Sequence, residues 1–147
     1  MVSAQAQLPV RVLVVDDSDV FQHVLSVMVA ATPGFELVGT ASCGREALHL
    51  IDLLDPQLVL VDLQLPELQG IETARRLREQ HPDLVVVLLA ADRPVSLALP
   101  SLTIVDRQDV SPDWLADFWR RQLVAAAAVA TSGDEREQEE QRKPRRQ

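Results

Sequence analysis

The chain has 147 residues, 47% of them hydrophobic, which is enough for one domain with a sizeable core. Its formal net charge of −8 argues against nucleic acid as a direct partner, because phosphate contacts need clustered lysine and arginine. The single cysteine excludes an internal disulfide, and no apolar run is long enough for a signal sequence or a membrane span, so we expect a cytoplasmic protein without a membrane partner.

Short apolar runs along the chain predict five β-strands. Runs without polar alternation are typical of parallel strands that are covered on both faces. The predicted strands are residues 12–15, 35–38, 58–61, 84–89 and 102–105. The second has one wetter face, which favours an edge position, and the fifth is short and weak.

Between the strands, apolar residues recur at helical spacing. The predicted stripes are Val20, Val24, Val27 and Ala31 in the first helix, Ala47, Leu48, Ile51 and Leu54 in the second, and Ile71, Ala74, Leu77 and Arg78 in the third. Strand and helix alternate throughout. This alternation predicts an α/β fold with a doubly wound parallel sheet, and right-handed crossovers leave few topologies for it.

The last helix begins at Ser111-Pro112-Asp113, where serine can cap, proline suits the first helical position and aspartate favours the positive end of the dipole. We expect it to run to about residue 129. After that the chain holds charged and polar residues that cannot bury enough surface to maintain a fold. The sequence therefore predicts one domain over 1–130 and a disordered tail or frayed helix over 131–147.

Carboxylates follow two of the predicted strands. Asp16 and Asp17 end the first run, and Asp62 ends the third. In a sheet of order 2-1-3-4-5, the ends of the first and third strands flank the point where ligands bind. Carboxylates gathered there repel one another unless a cation joins them, and Mg²⁺ prefers oxygen ligands. The alternative is that these residues are solvated acids of turns and loops.

Three segments resemble, in their order and spacing, the receiver domain of two-component response regulators. They are Val14-Val15-Asp16-Asp17-Ser18, Val61-Asp62-Leu63-Gln64-Leu65-Pro66 and Gly70, and the resemblance covers roughly residues 9–130. It implies a flavodoxin-like five-stranded sheet of order 2-1-3-4-5 with Asp62 as the phospho-acceptor. It also implies Mg²⁺ bound by Asp17, Asp62 and the backbone carbonyl of Gln64, with Asp16 contributing directly or through water.

Two positions depart from the family pattern. Ala90 stands where the resemblance implies a serine or threonine hydroxyl that binds the phosphoryl group. Arg107 is best aligned with the family lysine, and the only lysine in this chain is Lys143. Arginine keeps the charge but carries a planar, bulkier fork. A surface arginine paired with Asp106 or Asp109 is the equally weighted alternative.

The segment before the fifth strand also departs from the pattern. Pro94 and Pro100 leave room for fewer than about two helical turns, so we expect a shortened fourth helix and a remodelled output face. In the last, fifth helix, apolar residues form one broad stripe with Trp114 and Trp119 at its edges. The tryptophans either complete the core or anchor a homodimer or a downstream protein partner.

The leading hypothesis is a stand-alone receiver that accepts a phosphoryl group on Asp62 from a histidine kinase or phosphotransfer protein and signals by protein contact. The alternative is a phosphorylation-independent pseudo-receiver that acts as an interaction module, favoured by Ala90 and Arg107. An enzyme is not expected. Aspartate-nucleophile phosphatases need a second acid two positions after the nucleophile, and Gln64 stands there.

Overall fold

The computed structural model describes residues 8–65, 69–91 and 102–142, with side chains as far as residue 129. The strands are β1 (Val10–Val15), β2 (Phe35–Ala41), β3 (Leu58–Asp62), β4 (Val85–Ala90) and β5 (Thr103–Asp106). The helices are α1 (Asp19–Ala30), α2 (Gly44–Leu54), α3 (Gly70–Gln80) and α4 (Pro112–Arg142). A 3₁₀ turn, Arg107–Asp109, joins β5 to the segment before α4.

The five strands form one parallel sheet of order β2-β1-β3-β4-β5, as predicted. The predicted edge strand β2 lies at one margin and β5 at the other. All five residues of β3 are buried, in keeping with an apolar run covered on both faces. The carboxyl ends of β1 and β3 lie side by side, because Val15 pairs with Val61.

The core has two layers, one on each face of the sheet. Successive strand residues point to opposite faces, so that Leu13 and Val15 pack toward α2 and α3 while Val12 and Val14 pack toward α1 and α4. Trp114 and Trp119 are both partly buried against the second layer. They complete the core, as one of the two alternatives predicted.

The predicted stripe of α1 is wrong. Val20, Val24 and Val27 are 69%, 54% and 53% exposed. The buried face consists instead of Leu25, Met28 and Val29. The stripes predicted for α2 and α3 are confirmed, with their central residues buried.

The orientation of α1 follows from its first turns. The Gln22 side chain donates hydrogen bonds of 3.1 Å to the backbone carbonyls of Asp16 and Ala41, at the ends of β1 and β2. This pair of bonds turns Gln22 toward the sheet, and Leu25 and Val29 follow it on the same helical face. A twelve-residue helix with two apolar stripes therefore buries the one that its polar contacts select.

The last helix starts where predicted, and the Ser111 hydroxyl accepts a hydrogen bond of 3.1 Å from the backbone N–H of Trp114. It ends at Arg142 rather than near residue 129. Alanine, glutamate, arginine and glutamine dominate its second half, and all are strong helix formers. The domain boundary at 130 stays a prediction.

The predicted shortened fourth helix, between Pro94 and Pro100, lies outside the described residues. Over the ranges that the structure does describe, no helix combines the length and apolar character needed to cross a bilayer.

Candidate functional site

Three carboxylates meet at the carboxyl ends of the two central strands. Asp62 is the last residue of β3, and Asp16 and Asp17 directly follow β1. One carboxylate oxygen from each residue lies within 4.8 Å of the others. The structure thus brings the three predicted residues together. The alternative of unrelated turn and loop acids is wrong for Asp62, which is a buried residue of β3.

Local hydrogen bonds fix the direction of the two buried carboxylates. Oδ1 of Asp16 accepts a bond of 2.9 Å from the backbone N–H of Ser18, and Oδ1 of Asp62 accepts one of 3.1 Å from that of Gln64. Each is a carboxylate capturing the N–H two residues later, which turns the chain sharply after the strand. The carbonyl of Gln64 as a metal ligand stays a prediction.

Gly70 allows the chain to return close to β3. A Cβ atom at this position would lie 2.7 Å from Cα of Leu63 and would collide with the backbone carbonyl oxygen of Asp62. The N–H of Gly70 donates a bond of 3.1 Å to the carbonyl of Leu63. Only glycine tolerates this approach of two backbones, which explains its place in the motif.

Burial makes the ionised forms of two of these acids costly. Asp16 and Asp62 are 1% and 4% exposed, whereas Asp17 is exposed. Burial raises the pKa of Asp62 to about 6, partly opposed by the hydrogen bond from Gln64 and by the Arg107 guanidinium, while Asp16 raises it further. Burial also raises the pKa of Asp16. The pocket is therefore suited to a cation.

Arg107 reaches into this pocket from the end of β5. Its Nη2 lies 3.4 Å from Oδ1 of Asp62 and 4.0 Å from Oδ2 of Asp16. The centre of its guanidinium lies 3.7 Å from the ring centroid of Phe21. The alternative of a surface arginine paired with Asp106 or Asp109 is therefore wrong, and the Arg107 side chain is only 13% exposed.

Two buried polar atoms of the pocket have no hydrogen-bond partner among the described residues. They are Oδ2 of Asp16 and Nε of Arg107. A buried acceptor of this kind suits a cation, and a buried N–H donor suits an anionic oxygen. The residues present thus fit a divalent ion beside a phosphoryl group, on the chemistry of the donor set alone.

The comparison with protein families agrees with this geometry. The model of the response regulator receiver domain matches residues 12–110, about two thirds of the chain. The chain belongs to the response regulator receiver family. The expected flavodoxin-like receiver fold is thereby confirmed.

Curated relatives of this receiver are longer proteins. A protein-glutamate methylesterase/protein-glutamine glutaminase of Symbiobacterium thermophilum is 34% identical over 138 residues, which are 88% of this chain and 38% of the relative. The response regulator GacA of Pseudomonas aeruginosa is 39% identical over 80 residues, 54% of this chain and 37% of the relative. The receiver thus spans well under half the length of the relatives it matches.

Solved structures show the same fold. The response regulator domain of Thermotoga maritima CheB matches with a TM-score of 0.67 at 23% identity, over 76% of this receiver and 95% of that chain. Vibrio cholerae CheY4 matches with a TM-score of 0.64 at 22% identity, over 77% and 98%. The CheX–CheY–BeF₃–Mg²⁺ complex from Borrelia burgdorferi matches with a TM-score of 0.57 at 23% identity, over 71% and 86%.

Ala90 occupies the end of β4 in this receiver, next to the acidic pocket. Its neighbour Leu89 pairs with Asp62, and the carbonyl of Leu89 accepts a bond of 2.9 Å from the N–H of Leu63. Ala90 is itself 2% exposed. The methyl side chain of Ala90 offers no hydroxyl, so hydrogen bonds to a phosphoryl oxygen must come from other groups of the receiver.

Two residues near the pocket were missed by sequence reasoning. Phe21 contacts Arg107, and Gln22 binds the carbonyl of Asp16. Phe21 lies in the first turn of α1, which begins at Asp19. No pattern in the sequence links it to Arg107. The contact itself depends on the direction of the long arginine side chain.

Proposed function

We propose that this receiver accepts a phosphoryl group on Asp62 from a histidine kinase or a phosphotransfer protein. The observation that carries the proposal is the buried Asp62 carboxylate, grouped with Asp16 and Asp17 within 4.8 Å and faced by Arg107. A buried carboxylate with a cation beside it is suited to attack on phosphorus, where the donor's negative charge must be neutralised.

Asp16, Asp17, Asp62 and the backbone carbonyl of Gln64 are the proposed ligands of Mg²⁺. Three carboxylate oxygens and one carbonyl form the all-oxygen donor set that this ion prefers. When bound, Mg²⁺ supplies positive charge to the oxygens of the phosphoryl group. The unpartnered Oδ2 of Asp16 supports this assignment, because a metal ion would satisfy it.

The proposed step is a displacement at phosphorus. A carboxylate oxygen of Asp62 forms the new P–O bond while the P–N bond to the donor's imidazole breaks, and the imidazole nitrogen takes up a proton. Arg107 contributes its N–H groups to a phosphoryl oxygen, in the place of the family lysine. Its unpartnered Nε is the donor that supports this role.

Downstream, we propose contact with a protein partner or a second copy of this chain through α4. Leu123 and Val124 are 56% and 66% exposed on this helix, which gives the surface apolar character. The proposal includes signalling in the cytoplasm by protein contact and without nucleic acid. Light scattering with and without beryllofluoride tests dimer formation directly.

A second candidate function is a pseudo-receiver that binds its partner without phosphorylation. Two observations favour it. Ala90 supplies no hydroxyl to a phosphoryl group, and Arg107 already places a cation beside Asp62 and Asp16. Because Arg107 already offsets part of the negative charge of the pocket, the pocket attracts an external cation less strongly. Receivers of this kind would keep the fold and act as constitutive interaction modules.

Labelling with a small-molecule phosphodonor separates the two functions. The purified chain is incubated with acetyl phosphate and Mg²⁺, and mass spectrometry of the intact protein reports the gain of one phosphoryl group. We expect labelling of the wild type, at least about a hundredfold less for Asp62→Asn, and wild-type labelling for Asp19→Asn, which removes a nearby exposed acid. Equal labelling of wild type and Asp62→Asn would refute the first proposal.

Tryptophan fluorescence gives an independent readout. Beryllofluoride with Mg²⁺ imitates the phosphorylated aspartate, and Trp114 and Trp119 of α4 pack against the second core layer. An Asp62-dependent change supports the phosphorylated receiver. No change, with no labelling, supports the pseudo-receiver.

A further inference from the structure

Phe21 and Arg107 come from separate parts of the chain and meet beside the acidic pocket. Phe21 lies in the first turn of α1, and Arg107 follows β5. The guanidinium carbon stands 3.7 Å from the ring centroid, which is the geometry of a cation–π contact. We infer that Phe21 is a positioning residue, whose ring holds Arg107 over the acidic pocket as a built-in counter-ion of Asp62 and Asp16.

The ion pairs of Arg107 are too long to hold the guanidinium by themselves. The hydrogen bond of Nη2 to Asp62 is 3.4 Å, at the outer limit for such a bond, and Asp16 is 4.0 Å away. Nε has no acceptor among the described residues. The ring of Phe21, whose centroid lies 3.7 Å from the guanidinium carbon, is the contact that orients the planar group.

The position of Phe21 is itself coupled to the acidic pocket. The Ser18 hydroxyl caps α1 by accepting a bond of 3.4 Å from the N–H of Phe21. The N–H of Ser18 in turn donates to Oδ1 of Asp16 at 2.9 Å. The turn that directs the Asp16 carboxylate therefore also sets the first helical turn, on which the ring is carried.

A held cation has two opposite effects on the proposed chemistry. It repels a second cation, so it weakens Mg²⁺ binding. It also presents N–H groups in a fixed direction, which favours a phosphoryl oxygen. Loss of the ring should therefore strengthen Mg²⁺ binding and slow phosphoryl transfer. A merely damaged fold would weaken both.

The first test needs neither metal nor phosphodonor. NMR of the Arg107 Nε–H group reports its exchange with water in the full chain. We expect Phe21→Leu, which keeps apolar bulk but removes the ring, to accelerate this exchange by about tenfold, and Phe21→Tyr to keep the wild-type rate. An unchanged exchange rate in Phe21→Leu would overturn the inference.

The second test measures Mg²⁺ affinity by calorimetry. We expect Phe21→Leu to tighten binding by about three- to tenfold, the range of a cation–π contact. In an Arg107→Gln background the same substitution should change nothing, because the two residues act as one unit. Val24→Ala, an exposed change on α1, is the matched control. Weaker binding in Phe21→Leu, or an equal effect without Arg107, contradicts the inference.

The third test rests on the proposed function. At saturating Mg²⁺, labelling by acetyl phosphate should be about three- to tenfold slower in Phe21→Leu and normal in Phe21→Tyr. If no variant is labelled, the proposed phosphoryl transfer fails while the exchange measurement still decides the role of Phe21. If the wild type binds no Mg²⁺, the proposed metal site is wrong, and the exchange measurement still decides the role of Phe21.

Discussion

The two sides of the pocket differ in how closely they follow the receiver pattern. On the side of β1 and β3, Asp16, Asp17 and Asp62 are all present and lie within 4.8 Å. On the side of β4 and β5, Ala90 lacks a hydroxyl and Arg107 stands in place of the family lysine. The side suited to binding a metal ion is kept, while the side that would contact the phosphoryl group is altered. Phosphorylation of Asp62 and the response of the receiver to it can therefore be tested separately.

The largest expected effect lies on the acidic side. Gly70→Ala places a methyl group against the backbone of Asp62 and Leu63, where neither can move without displacing the end of β3. We expect a loss of about 3 kcal/mol of unfolding free energy, measured by urea denaturation. Gly34→Ala is the control, since a Cβ there meets nothing within 4 Å, although its φ of +85° adds backbone strain. A Gly70→Ala protein as stable as the wild type would refute the predicted collision.

The next effect concerns pH, because Asp62 has a raised pKa of about 6. Between pH 3.8 and 6 the carboxyl group of Asp62 is protonated more fully in the folded state than in the unfolded state. Its contribution to the free energy of unfolding is therefore full at low pH and is lost as the pH rises. Asp62→Asn does not titrate. Without Mg²⁺, we expect it to exceed the wild type by about 2 kcal/mol at pH 7 and by little at pH 4.

Denaturation across this pH range, in the presence of a chelator, checks the prediction. Asp19→Asn removes an exposed acid and should leave the difference near zero throughout. A stability gain of Asp62→Asn that is the same at pH 4 and pH 7 would contradict a raised pKa.

Restoring a hydroxyl at position 90 tests the altered side of the pocket. Ala90→Ser adds one oxygen at the end of β4, beside the strand that carries Asp62. A hydrogen bond to a charged group is worth about 1.5 to 3 kcal/mol, so we expect at least about tenfold tighter binding of beryllofluoride in the presence of Mg²⁺. Tryptophan fluorescence measures it. Ala91→Ser, at the neighbouring exposed position, should leave the affinity unchanged.

The sequence predicted the sheet and the acidic cluster because both follow from local patterns. Uninterrupted apolar runs define the central parallel strands, and the aspartates at the ends of β1 and β3 mark the edge at which their carboxylates meet. The buried face of α1 could not be predicted in this way, because two apolar stripes compete and the contacts of Gln22 decide between them. The end of α4 was missed because strong helix formers continue well past residue 129.

Arg107 shows a different limit of sequence reasoning. Its alignment with the family lysine left two directions open, toward the pocket or toward Asp106 and Asp109. The outcome depends on Phe21, which is distant in sequence and provides the contact that accommodates a planar cation. Pairings of this kind have no periodicity, so they emerge only when the elements are placed in space.

The smallest expected effects concern the pKa of Asp62, on which the two sides of the pocket act in opposite directions. Asp16 and Asp17 raise its pKa, Asp17 the less of the two, whereas Arg107 lowers it. NMR titration of the Asp62 carboxyl carbon should therefore show a higher pKa in Arg107→Gln and a slightly lower one in Asp17→Asn. The exposed Asp17 acts through water, which weakens its field, while Arg107 acts from within the pocket. Shifts of equal size in the two variants would mean that the pocket is more open to solvent than the burial of Asp16 and Asp62 indicates.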